Sequence, residues 1–178
     1  MSKNFIHCLI LSFFLLLPHF AYAHSLYEMQ LSCFSGFLHP LQGADHIVAI
    51  LAVGFWAAQL RGVAMWLLPL TFVSVMTLGG LLGTSGISLD YAETFILVSG
   101  FVLSILAVKN VQFDLKVSAL IVGFFALFHG FAHGAEIADS ADLISYSMGF
   151  ICATSLLHLA GIGLARTLHV VKFKRSQI

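Results

Sequence analysis

Two clusters and one singleton of ionisable residues sit inside otherwise apolar stretches of this sequence. Such groups are costly there and mark function. The first cluster reads His39-Pro-Leu-Gln-Gly-Ala-Asp45-His46. His39 and His46 are seven residues apart, two turns on one helix face, with Asp45 beside that face. The second reads Phe128-His129-Gly-Phe-Ala-His133-Gly-Ala-Glu136. At ~100° per residue, His133 lies ~40° from His129 and Glu136 ~20° to the other side. All three project from one stripe on successive turns, a ladder of metal donors. Gly130 and Gly134 lie beside it and open a groove for a neighbouring helix. The singleton, His158, follows Thr154 by four residues. It is either a structural hydrogen-bonding group or a deeper relay ligand.

Together the clusters offer four imidazoles and two carboxylates, a set suited to borderline divalent ions such as nickel, cobalt and zinc. Ligand type alone does not choose among them, and copper and zinc compete for the same donors. The clusters contain no thiolate or thioether, which argues against a dedicated Cu(I) site. The zincin pattern HExxH is absent, because Gly130 occupies the position of its Glu. Other readings stay open. His39 and His46 could cap a helix at the membrane interface. Glu136 could be a loop residue, with His129 and His133 hydrogen-bonding other helices. Paired His could ligate haem or serve a metal enzyme, although no nucleophile or general-base motif stands beside them. A metal sensor or metallochaperone facing outward would bind without transporting.

The elements that must position these residues follow from composition. The chain has 178 residues, 60% hydrophobic and 9% charged, against roughly 45–50% and about 25% in a soluble domain. It reads as an integral membrane protein. The formal net charge is +0, which implies no surface for nucleic acid. Residues 1–23 combine Lys3, an apolar run and Ala21-Tyr22-Ala23, the pattern of a signal peptide cleaved before His24; an uncleaved anchor is the alternative. Residues 24–178 are then one transmembrane domain. Its apolar stretches cover 36–60, 64–83, 92–108, 117–137 and 143–165. Spans in lipid must be helices or closed barrels, and the alternating segments of a barrel are not seen. The expected fold is an all-α polytopic transmembrane helix bundle of five spans.

The first stretch is too long for one upright span, and a break is expected near Pro40 with the main helix from about Gln42. Arg61, Lys109, Lys116, Arg166, Lys172, Lys174 and Arg175 fall on one side, which places the mature N-terminus out and the C-terminus in. The expected location is the inner (cytoplasmic) membrane, multi-pass. Cys33 and Cys152 read as small buried hydrophobes. Gly79, Gly80 and Gly83 permit close helix approach or merely end their helix. A bundle this small could require a homo-oligomer to enclose a path.

The first two motifs resemble the signatures of the HupE/UreJ family of small membrane metal permeases. Ala153-Thr154 through Leu157-His158 and Gly161 is similar to the family's pattern in its last helix. The resemblance covers the whole chain. It differs from the larger nickel/cobalt transporters, whose motif reads H-x4-D-H, since five residues separate His39 from Asp45 here. It implies uptake of nickel or cobalt beside hydrogenase or urease rather than an enzymatic activity. It carries functional roles onto His39, Asp45, His46, His129, His133 and Glu136, with His158 as an inner relay.

The expected function is therefore a permease for Ni²⁺, with Co²⁺ next, supplying nickel enzymes. No prosthetic group is expected, only the transported Ni²⁺, Co²⁺ or Zn²⁺. No nucleotide-binding motif is present, so energy comes from a gradient or a partner. Neutral imidazoles are needed, and binding weakens below about pH 6. Such a site exists only if the first and fourth spans face each other.

Overall fold

The computed structural model describes residues 33–85, 89, 91–136 and 143–175, with side chains except at Glu136 and 169–175. The expected signal peptide, His24 and the acids Glu28, Asp90, Asp139 and Asp142 lie outside the described residues. Six helices form: α1 (Cys33–Gln42), α2 (Ala44–Leu60), α3 (Ala64–Gly83), α4 (Ala92–Lys109), α5 (Leu115–Glu136) and α6 (Leu143–Arg175). The fold is all-α among these residues. Helices α3, α4, α5 and Leu143–Leu168 of α6 are long and apolar enough to cross a membrane. Helices α1 and α2 meet at 88°, a broken span or a re-entrant segment, so the candidate spans among the described residues number four, or five with this bent pair.

The break falls at Gly43, not near Pro40. Gly43 adopts an extended backbone (φ −100°, ψ 120°) that ends one helix and opens the next. Pro40 stays inside α1 and is buried. Its missing N–H removes a single bond close to the end of that helix. At the other end of the chain, α6 continues ten residues past the expected limit of 165, so the basic tail extends the helix.

Helix α3 packs closely along α5, while α1 and α2 both lie against α6. Helix α2 also meets α3 and α4, and α4 meets α5. The four helices α2, α3, α5 and α4 thus form a ring in which α2 and α5 stand on the diagonal. Association in lipid rests on van der Waals contact between closely approaching backbones. At the α3–α5 contact a Cβ on Gly130 would strike the Met76 carbonyl, and one on Gly134 the Gly80 carbonyl. Gly79 and Gly83 face α5 in the same way. Ile50, Val53, Trp56, Leu68, Phe72, Leu103 and Val122 fill the core.

Leu70, Leu78, Leu120 and Met148 point outward, as a lipid-facing surface requires. Cys33 and Cys152 are exposed too. They are not the buried small hydrophobes expected, because they lie on the outer faces of α1 and α6. One end of the bundle is closed by Trp56, whose Nε1–H donates to the Val111 carbonyl at 2.8 Å. Arg166 lies 3.1 Å from the Met65 sulfur, which brings the start of α3 and the later turns of α6 together. The two His clusters lie toward the opposite end.

Candidate metal centre

His39 comes from α1, Asp45 and His46 from the first turn of α2, and His129 and His133 from the last two turns of α5. The two motifs, expected to face each other, do so through their side chains. The Nε2 atoms of His46 and His133 are 2.8 Å apart, which bridges the α2–α5 diagonal. Ring centroids of His39 and His133 are 4.6 Å apart, and those of His46 and His129 5.3 Å. Four imidazoles from three helices therefore occupy one space. Glu136 closes α5, and its side chain lies outside the described residues.

Asp45 orients this group. Its Oδ1 accepts from both the backbone N–H and the Nδ1–H of His46, at 2.9 and 3.0 Å. A carboxylate only accepts, so the proton of the neutral His46 ring sits on Nδ1 and the lone pair of Nε2 faces His133. The same arrangement orients metal-ligating imidazoles. His129 is set similarly, with Nδ1–H donating to the Phe125 carbonyl at 3.0 Å. Its Nε2 is buried with no hydrogen-bond partner. His46, His129 and His133 are all buried, at 9%, 1% and 6% exposure.

His39 owes its place to α6. Its ring lies against Tyr146 (5.9 Å) and Phe150 (5.8 Å), and α1 is seated on α6 where Gly36 meets the Tyr146 backbone and Gly149 meets Cys33. A cleft of about 80 Å³ between α3, α5 and α6 reaches His133 past Met76, Thr77, Gly80, Tyr146 and Phe150. His158 does not join the cluster. It is buried on α6, and the Phe72 ring stands between it and His129, with centroids 5.2 Å from His158 and 5.3 Å from His129.

Among the described residues, no group of three or more His, Cys, Asp or Glu is disposed to hold an ion as it stands. What the structure presents is a close pair, His46 and His133, with further imidazoles alongside.

Gly43 and Phe72 were not among the residues singled out from sequence. A Cβ at Gly43 would come 2.6 Å from His46 Nδ1 and 2.7 Å from Asp45 Oδ1, so the small residue leaves room for that hydrogen bond. Nothing in the motif spacing distinguishes Phe72 from the other aromatic residues. Tyr146, Phe150, Thr154 and His158 repeat every four residues and so share one face of α6, but that this face meets His39 is seen only in the structure.

The family described as "HupE / UreJ protein" matches residues 12–177. Protein HupE of Rhizobium leguminosarum bv. viciae is 44% identical over 151 residues, covering 85% of this chain and 78% of that protein. No solved structure matches significantly.

Proposed function

The chain belongs to the HupE/UreJ family, and from that premise we propose that it is a permease for a divalent transition metal, Ni²⁺ first and Co²⁺ next. The ion is substrate rather than resident cofactor. It arrives from outside the inner membrane, sheds part of its water, and binds to imidazoles of α1, α2 and α5. From there it passes to the cytoplasm for delivery to nickel enzymes. His39, His46, His129 and His133 donate nitrogen. Asp45 and Glu136 offset the charge of an ion that apolar surroundings could not otherwise hold.

The observation that carries this reading is the 2.8 Å approach of His46 and His133. Two nitrogens each ~2.1 Å from one ion, at right angles to it, stand ~2.9 Å apart. Tetrahedral donors at the same bond length stand ~3.4 Å apart. A small side-chain movement takes the observed hydrogen-bond spacing to either value, so the pair fits a shared divalent ion without choosing between nickel, cobalt and zinc. His39 and His129, with ring centroids 4.6 Å from His133 and 5.3 Å from His46, are the candidates for a third nitrogen.

The test is uptake of radioactive nickel by cells without other nickel importers that express the wild type, His46→Ala or His133→Ala at matched levels. The reading expects both variants to fall to background. Undiminished uptake in either one removes this pair from the path.

A further inference from the structure

Deeper than the four-imidazole cluster, the core holds polar atoms with no partner among the described residues. Nδ1 and Nε2 of His158 are buried without a hydrogen-bond partner there, and so is Oγ1 of Thr154 one turn earlier. Both side chains are enclosed, at 1% and 0% exposure. A helical hydroxyl commonly turns back onto the carbonyl four residues earlier. The adjacent Ser155 does so, donating to Ile151 at 2.7 Å. Thr154 does not. Buried polar groups without a protein partner are costly in a membrane core, and a partner that comes and goes accounts for keeping them.

Their position is equally specific. Tyr146, Phe150, Thr154 and His158 form one stripe on α6. Phe150 touches His133 and His39, at 4.8 and 5.8 Å between centroids. At ~1.5 Å per residue, His158 lies ~12 Å further along α6 than Phe150. The Phe72 ring contacts both His158 and His129.

We propose that His158 and Thr154 form a second, inner station for the transported divalent ion, distinct from the four-imidazole cluster. This rests on the transport reading above. The station supplies one imidazole nitrogen and one hydroxyl oxygen, and water completes the coordination shell. So few donors bind weakly. Weak binding suits a step on the way out, because conduction needs sites that an ion can leave. The ion reaches His158 from His129 as the Phe72 ring yields. No covalent bond forms or breaks.

The experiment uses the full chain in two formats. Equilibrium dialysis against radioactive nickel measures binding in detergent. A nickel-sensitive dye inside proteoliposomes measures initial flux. His158→Leu, His158→Gln and Thr154→Val are compared with the wild type. The station predicts that His158→Leu binds nickel within about twofold of the wild type, as a separate site should, while flux falls about tenfold or more. Thr154→Val shows a smaller flux loss with unchanged binding. Wild-type flux in His158→Leu overturns the station. So does parallel loss of binding and flux in a folded variant, since His158 would then support the first cluster instead. If His158→Leu does not fold, His158→Gln keeps a similar volume and is judged by the same two readouts. A wild type that carries no flux overturns the transport reading and the station together, whereas unchanged variant flux on an active wild type overturns the station alone.

Discussion

The Nε2 atoms of His46 and His133 stand 2.8 Å apart across 87 positions of chain, on helices that meet only diagonally. Two donors that share one ion behave as a unit. Alanine at either position is expected to cost about 10–100-fold in nickel affinity. The double variant should lose no more than the worse single one, because shared interactions are not additive. Equilibrium dialysis on all four proteins measures this, and additive losses would mean two independent sites.

Asp45→Asn keeps an oxygen near His46 but removes the charge. The Nδ1–H of His46 then loses its charge-assisted acceptor, and the ion loses a counter-charge. Nickel affinity should fall about tenfold or more. Isothermal titration with the variant checks this, and an affinity equal to the wild type would show that Asp45 only caps α2.

Gly43→Ala should reproduce the Asp45→Asn loss without touching a ligand. Its Cβ would press on Asp45 Oδ1 and His46 Nδ1, and the backbone there is open to any residue. Gly163→Ala is the matched control, since a Cβ there meets nothing within 4 Å. Metal binding should separate the two variants while their melting temperatures remain close.

Much of this fold is legible in the sequence, for a reason specific to lipid. A helix must run from one interface to the other, so apolar runs mark helices directly. The run 64–83 is the observed α3, and α4 and α5 begin and end within two residues of their expected limits. The α1–α2 break is displaced because proline advertises itself in a sequence, whereas a glycine with an ordinary extended backbone does not. Within each motif, helical period alone shows which side chains share a stripe. The meeting of the motifs is tertiary and depends on glycine contacts between α3 and α5. Phe72 and the outward cysteines depend on which way each helix is turned, and highly apolar helices carry little rotational signal.

Gly134→Ala and Gly130→Ala should act on stability first. Each Cβ would meet backbone of α3 rather than a movable side chain end, so the helices must separate. A loss of about 1–3 kcal/mol is expected from such overpacking. Thermal unfolding in detergent would register it as a lower melting temperature, and unchanged melting would mean that α3 and α5 shift freely.

Protons and metal compete for the same imidazole lone pairs. Nickel occupancy should therefore fall as the medium is acidified. Nickel retained on the protein across a descending pH series measures the effect, and retention that never falls would count against imidazole donors.

His39 and His46 are neighbours in sequence, yet their relative placement is set by the last helix, because α1 and α2 bend apart at Gly43 and each is seated on α6. Translation runs from the N-terminus, so a nascent chain carries both histidines long before it carries the surface that arranges them. Only when α6 joins the bundle do the imidazoles of α1 and α2 take up their mutual geometry. The arrangement of His39 beside the other imidazoles is thus the last part of the cluster to be completed as the chain is made and inserted.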